Sequence, residues 1–214
     1  MVTRLQDIAT DSLEFRQRTA QLCAVGRTLY SRGMVPATSG NFSARLSTGH
    51  ILITVSGAHK GRLDPSHLML IDLDGHAPNG ERASAETALH LQVYRRHPDI
   101  NAVLHPHSVA ATLLSRRSSA DCVLANYELL KAFPGITTHD TSITIPNFPN
   151  DQDVARLARR VDEWMDQHDP VVGYLISSHG FYTWGSSINA ALRHVEALDF
   201  LFECELRTHG ASPP

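Results

Sequence analysis

Three short β-rich segments lie between Asn41 and Leu73, and they restrict the possible folds more than any other feature of the chain. The segments are NFSARL, HILITV and LMLIDL. Thr48-Gly49 and Ser56-Gly57 separate them, and the hairpin-like pair Asp74-Gly75 follows the last. Gly-containing turns between alternating apolar runs are typical of antiparallel connections, whereas parallel strands need a long crossover. The pattern therefore predicts a meander of antiparallel strands.

Helical patterns precede and follow this meander. Phe15, Leu22, Val25 and Leu29 have helical spacing within residues 11–32, and Gly33 is a suitable residue to end that helix. Capping residues predict the start of further helices at Ser84 (with Glu86 in the first turn), at Ser108, at Asp151 or Asp153, and near Ser186 or Ser187. Two apolar runs, AVL and VVGYLI, predict buried strands that lead to His105 and His179. The order predicts a layered α/β/α fold, with one domain over residues 1–214, a core over about residues 11–208 and polar ends.

The composition argues against several classes of protein. The formal net charge is −3 and the Arg-Arg pairs are on separate segments, so a nucleic-acid partner is not expected. No apolar run is long enough to cross a bilayer, and the first residues are too polar for a secretory signal, so we expect a cytoplasmic protein. The three cysteines are odd in number and widely spaced, which favours free thiols over disulfides or a cysteine metal site.

Histidine is abundant, with 13 residues, and one pair has the spacing of metal ligands. Side chains two apart on a strand face the same way, so His105 and His107 can point at one ion, and His179 at another strand end can supply a third ligand. Three protein ligands with one open position are typical of catalytic zinc. The spacing alone leaves the alternative that these histidines are bonded to backbone groups at a strand-to-helix junction.

Two carboxylates and three polar clusters are weaker candidates. Glu86 suits a general base, a spare metal ligand or simply a charge at a helix start, where the helix dipole favours it. Glu128 precedes Lys131 by three residues, a spacing typical of an exposed ion pair. The clusters Thr38-Ser39-Gly40-Asn41, Ser56-Gly57 and Ser84-Ala85 are either turns or a phosphate site made of backbone N–H groups and hydroxyls.

Five motifs, taken in order, resemble the class II aldolase and adducin family over about residues 20–205: TSGNFSAR, ITVSGAHKGRL, SAETALHLQVY, AVLHPHS and SHGFYTWG. The resemblance implies a central, mainly antiparallel sheet, a Zn²⁺ cofactor, a small sugar-phosphate substrate and a homotetramer. It implies that His105, His107 and His179 bind zinc and that Glu86 is the acid/base. The implied phosphate-binding residues are Thr38, Gly40, Asn41, Ser56, Gly57 and Ser84.

Within that family, NYELLKAF and SHGFYTWGSSINAALRHVEALDFLFECEL resemble the methylthioribulose-1-phosphate dehydratases of methionine salvage more than the sugar-phosphate aldolases. This resemblance implies that Glu128 is a catalytic acid/base and leaves its division of roles with Glu86 open. The methylthio group needs an apolar patch, for which the candidates are Phe42, Phe133, Phe148, Phe181 and Tyr182. An aldolase or 4-epimerase acting on a pentose or deoxyhexose phosphate is the alternative enzyme. A non-catalytic, adducin-like interaction module is the other alternative, and it would be expected to lack the complete histidine set.

Overall fold

The computed structural model describes residues 12–77, 86–168 and 171–208. The helices are α1 (Leu13–Ser31), α2 (Thr87–Arg96), α3 (Val109–Arg117), α4 (Val154–His168) and α5 (Ile188–Thr208). The strands are β1 (Asn41–Arg45), β2 (Ile51–Thr54), β3 (Leu68–Ile71), β4 (Ala102–His105), β5 (Cys122–Ala125), β6 (Ser142–Ile145), β7 (Asn147–Phe148), β8 (Gly173–Ile176) and β9 (Gly180–Gly185). Short 3₁₀ helices cover Lys60–Arg62, Pro65–His67 and Glu128–Ala132.

Seven strands form one sheet in the order β3-β2-β1-β4-β9-β8-β7. Every neighbouring pair is antiparallel except β7 and β8, which are parallel. Strands β1 to β3 form the predicted meander, with Ser43 opposite Ile53 and Leu52 opposite Leu70. The expected fold class, a mainly antiparallel sheet between helices, is confirmed.

Alternating side chains of the sheet pack into two apolar layers. Phe42 on β1 and Leu104 on β4 lie in one layer with residues of α1, α3 and α5. Val103 and Tyr182 point to the opposite face and pack with residues of α2 and α4. This alternation follows from the two-residue period of a strand, and it produces the three-layer arrangement. Among the described residues, no helix is long and apolar enough to span a membrane.

The predicted helix boundaries depend on capping side chains. The Ser108 hydroxyl accepts a hydrogen bond from the Ala111 N–H at 3.2 Å, and Ser187 accepts one from Ala190 at 3.1 Å. Asp153, rather than Asp151, caps α4 by accepting from the Arg156 N–H. Beyond α1, Gly33 has a φ of +72°, as expected of the residue that ends a helix.

Some elements differ from the sequence-based predictions. Helix α2 begins at Thr87, so Glu86 immediately precedes the helix rather than lying in its first turn. Ser84, the expected cap and phosphate ligand, lies outside the described residues. The small β5–β6 sheet was not predicted, because each strand has only four residues, and runs this short do not separate a strand from other structure.

Candidate metal centre and active site

The three predicted histidines meet at one end of the inner strands β4 and β9. His105 is the last residue of β4, His107 is two residues further on, and His179 lies in the turn between β8 and β9. One ring nitrogen from each lies within 4.8 Å of the others. The Nε2 atoms of His105 and His107 are 2.9 Å apart. The structure thus brings His179 to two histidines that lie more than 70 positions earlier in the chain.

Two glycines make room for the histidine segment. A Cβ on Gly180 would lie 2.4 Å from the Pro106 carbonyl oxygen and 3.2 Å from Cε1 of His105. On the other side, Gly40 has a φ of +75°, and a Cβ there would lie 2.5 Å from the His105 carbonyl oxygen. Residues with side chains would therefore push the segment out of place.

The position and protonation of the first two imidazoles suit metal binding. His105 Nδ1–H donates to the Phe181 carbonyl at 2.8 Å, so Nε2 carries the lone pair of the ring and faces His107. The Tyr182 ring stacks on the same imidazole, with centroids 4.0 Å apart. Burial lowers the pKa of His105 well below its usual value, and burial lowers the pKa of His107 to about 4. Both are therefore neutral at neutral pH, the form that coordinates a metal.

The geometry fits a divalent metal ion. Tetrahedral zinc with Zn–N distances of about 2.0–2.1 Å places neighbouring ligand nitrogens roughly 3.3 Å apart, close to the separation of His105 and His107. In addition, Nδ1 of His179 is buried and has no hydrogen-bond partner among the described residues. Three imidazoles are suitable donors for zinc and for other borderline divalent ions.

Glu86 is the carboxylate at this centre. Its Oε1 lies 3.4 Å from Nε2 of His179, and its Oε2 accepts a hydrogen bond from the Asn41 side-chain amide at 2.5 Å. Burial raises the pKa of Glu86, but the hydrogen bond from His179 and the favourable electrostatic interactions with the three histidine rings outweigh burial and lower the pKa to about 2. The group is therefore ionised at neutral pH and can accept a proton.

A buried hydrogen-bond chain behind Glu86 was not predicted. His90 Nε2–H donates to the Asn41 side-chain oxygen, and the Ser43 hydroxyl lies 2.8 Å from both His90 Nδ1 and the Tyr94 hydroxyl. Burial lowers the pKa of His90 to about 3, so the ring stays neutral. Because His90 engages the amide oxygen of Asn41, the amide nitrogen faces Glu86. The sequence does contain a signal for this contact: His90 follows Glu86 by four residues, the spacing that places two side chains on the same face of a helix.

A polar pocket of about 150 Å³ opens on one side of Glu86. It contains five of the six residues expected to bind phosphate, namely Thr38, Gly40, Asn41, Ser56 and Gly57. Ser39, Thr54, Val55, His107 and Lys60 complete its lining together with Glu86 itself. Lys60 was not among the predicted site residues.

A second pocket, of about 60 Å³, also has Glu86 in its lining, together with His179. We call it the apolar pocket because four of its side chains are aliphatic: Leu89, Val154, Leu157 and Ile176. Asn150, Asp151 and Gln152 form its remaining wall. The five aromatic side chains considered for the methylthio group are buried in the core and line neither pocket.

Glu128 lies away from both pockets. Its side chain is 73% exposed and forms an ion pair with Lys131 at 2.6 Å, and His139 lies 3.7 Å from it. This is the exposed pair that the local pattern indicated. Within one chain, the structure therefore places Glu86 at the histidines and Glu128 on the surface.

Comparison with known proteins agrees with this architecture. Residues 20–206 match the family described as Class II Aldolase and Adducin N-terminal domain. The chain belongs to this family. A solved member, the L-fuculose-1-phosphate aldolase of Thermus thermophilus, superposes with a TM-score of 0.73 at 28% identity, covering 93% of this chain and 99% of the aldolase.

Sequence relatives within the class II aldolase family are more similar. The methylthioribulose-1-phosphate dehydratase of Methylococcus capsulatus is 58% identical over 197 residues, which are 92% of this chain and 97% of the relative. The enzyme of the same name from Azotobacter vinelandii is 55% identical over 193 residues, covering 89% and 94%. The similarity therefore extends over nearly the whole of both proteins.

Proposed function

We propose that this class II aldolase family member dehydrates 5-methylthioribulose 1-phosphate to 2,3-diketo-5-methylthiopentyl 1-phosphate. The observation that carries the proposal is a pair of pockets that share Glu86 in their linings, one of them polar and the other with four aliphatic side chains. The substrate has a charged phosphate at one end and a methylthio group at the other. The polar pocket suits the phosphate, and the aliphatic side chains of the apolar pocket suit the thioether. The names of the two dehydratase relatives support the same assignment.

We further propose that His105, His107 and His179 hold Zn²⁺. When bound, zinc would supply Lewis-acid polarisation of the ketose carbonyl, which acidifies the neighbouring C3–H. The neutral imidazoles, the lone pair on Nε2 of His105 and the buried Nδ1 of His179, which has no hydrogen-bond partner among the described residues, support a bound cation at this position. In this proposal the phosphate binds in the polar pocket, where its ligands are Thr38, Gly40, Asn41, Ser56 and Gly57. Family resemblance adds Ser84 to this set.

In the proposed reaction Glu86 transfers the proton. Its carboxylate takes the proton from C3, the C4–O bond breaks, and Glu86 passes that proton on to the departing hydroxyl, which leaves as water. The resulting enol tautomerises to the diketone, so one water is lost and the carbon chain stays intact. Asn41 and His179 hold the two carboxylate oxygens, which fixes the direction from which the proton is taken. His90 acts through Asn41 as a positioning residue.

The role of Glu128 requires more than one copy of the chain. Its exposed carboxylate reaches neither pocket of its own chain, so it can serve the reaction only at a site of another subunit. The homotetramer implied by family resemblance supplies such neighbours. We propose that Glu86 acts in its own chain and that Glu128, as a second acid/base, acts across a subunit boundary.

The test is mass spectrometry of the products formed from methylthioribulose 1-phosphate by metal-loaded protein, beside a chelated control. Loss of one water in the metal-loaded sample alone is expected. Cleavage into two shorter fragments would instead assign an aldolase activity, which the fold shared with the Thermus aldolase makes the main competitor. An unchanged substrate in the presence of folded, metal-loaded protein would contradict the proposal.

A further inference from the structure

Lys60 is a buried cation in the wall of the polar pocket. The residue is 1% exposed, whereas lysine is almost never fully buried without a partner. Its ammonium group donates to the Thr38 carbonyl at 2.8 Å and to the Ala58 carbonyl at 2.7 Å. An ammonium group has three N–H donors, and the third has no acceptor among the described residues.

The backbone fixes this lysine in place. Lys60 lies in a 3₁₀ turn that packs against α1, where a Cβ on Gly26 would overlap the Lys60 carbonyl oxygen. The neighbouring His59 ring makes an edge contact with Tyr30 of the same helix, at 4.6 Å between centroids. Close packing on α1 therefore directs the Lys60 side chain inward, toward the loops that carry Thr38 and Ser56.

The charge of Lys60 is not neutralised by its immediate surroundings. No carboxylate of the described residues lies within ion-pair distance of its Nζ, and both of its observed partners are uncharged carbonyls. Burial lowers the pKa of Lys60 to about 8 against the opposing effect of the Glu86 charge, which still leaves the group mainly protonated at neutral pH. Glu86 also lines the pocket, but its carboxylate is engaged by Asn41 and lies beside His179. A buried charge of this kind is unfavourable unless an anion joins it.

We propose that Lys60 binds the phosphate group of the substrate and makes the polar pocket selective for phosphorylated ligands. The inference rests on the proposed function, because it takes the polar pocket as the phosphate end of the site. The two carbonyl contacts orient the ammonium group, and the phosphate oxygen accepts the third N–H bond. Since Lys60 also links the loops of Thr38 and Ala58, the bound anion completes a cradle that is already assembled.

The chain offers an unusually direct test, because Lys60 and Lys131 are its only lysines. Protein labelled with ¹³C at the lysine ε-carbons should give two signals, which a Lys131→Arg variant assigns. Inorganic phosphate, added to metal-loaded and to chelated protein, is expected to shift the Lys60 signal and leave the Lys131 signal in place. Running both samples separates binding in the pocket from direct binding of phosphate to the metal.

Variants extend the test to affinity. Lys60→Gln keeps hydrogen-bond donors but removes the charge, and it should bind phosphate about 10- to 100-fold more weakly, as expected for a charge-assisted contact. Arg62→Met is the matched control, because it removes an exposed positive charge two residues away and should keep wild-type phosphate affinity. Thermal unfolding establishes that both variants are folded.

The outcomes separate this inference from the proposed function. A Lys60 signal that does not respond to saturating phosphate, or a folded Lys60→Gln variant with wild-type phosphate affinity, would overturn the role of Lys60. A responsive Lys60 signal in a protein that does not dehydrate methylthioribulose 1-phosphate would leave the phosphate site standing and move the proposed activity to another sugar phosphate.

Discussion

Replacing Gly180 with alanine should damage the metal centre without touching a ligand. The added Cβ would lie 2.4 Å from the Pro106 carbonyl oxygen, and Cβ atoms essentially never approach closer than 3.0 Å. The segment that carries His105 and His107 must therefore move by at least the difference, 0.6 Å. Metal–ligand distances are held within about 0.2 Å, so we expect zinc affinity to fall by roughly 10- to 100-fold. The overpacking should also cost about 1–3 kcal/mol of stability, or about 2–12 °C in Tm.

Zinc affinity can be measured by competition with a chromophoric chelator, and the stability of the metal-free protein by thermal unfolding. Gly49→Ala is the control. Gly49 has a φ of +86°, and a Cβ there meets nothing within 4 Å, so the variant should lose about 1–2 kcal/mol from backbone strain alone and keep its zinc affinity. Wild-type zinc affinity in Gly180→Ala would refute the view that this contact positions the histidines.

Three other predictions concern the carboxylates and the buried His90. Glu86→Gln should fold and bind zinc but lose dehydration activity by about 10²- to 10⁴-fold in kcat, and an active variant would remove Glu86 from the mechanism. Glu128→Gln should keep its fold and zinc yet be inactive, and His107→Ala should lose metal and activity together. Co-refolding these two variants should restore part of the activity if Glu128 acts across subunits, whereas no recovery in hybrids that form would contradict that arrangement. In chelated protein, the pKa of His90 is about 6.5 in the unfolded chain and about 3 in the folded chain. Between these two pH values only the unfolded chain binds the proton, so the free energy of unfolding falls as the pH is lowered from about 6.5 to about 3. His90→Gln should reduce that slope by up to about 1.4 kcal/mol per pH unit in urea unfolding, and an unchanged slope would show that His90 is not the group responsible.

The sequence was most informative where a local rule determines side-chain direction. His105 and His107 share a strand face because of the two-residue period of a strand, and Ser108 caps α3 as its position before an apolar run indicates. The meander of β1 to β3 follows from its turns in the same way. These features depend on neighbours in the chain, which a sequence displays directly.

Lys60 and His90 illustrate what local patterns miss. Each is directed to the site by contacts with segments distant in sequence: Lys60 by the close packing of its turn on α1, and His90 by the side chain of Asn41. The aromatic side chains considered for the methylthio group line neither pocket for a related reason. Large aromatic side chains gain most from full burial, so Phe42 and Phe181 pack inside the core and leave the pocket to aliphatic residues.

Glu86 lines both pockets, and this has a consequence for substrate choice. A ligand long enough to fill both pockets brings its middle carbons to the shared carboxylate, whichever end binds first. A shorter sugar phosphate fills the polar pocket alone, and its far carbons keep the freedom to rotate away from Glu86. The distance between the two ends of a ligand therefore decides which of its C–H bonds lies beside this carboxylate, so that molecular length contributes to selectivity alongside charge and polarity.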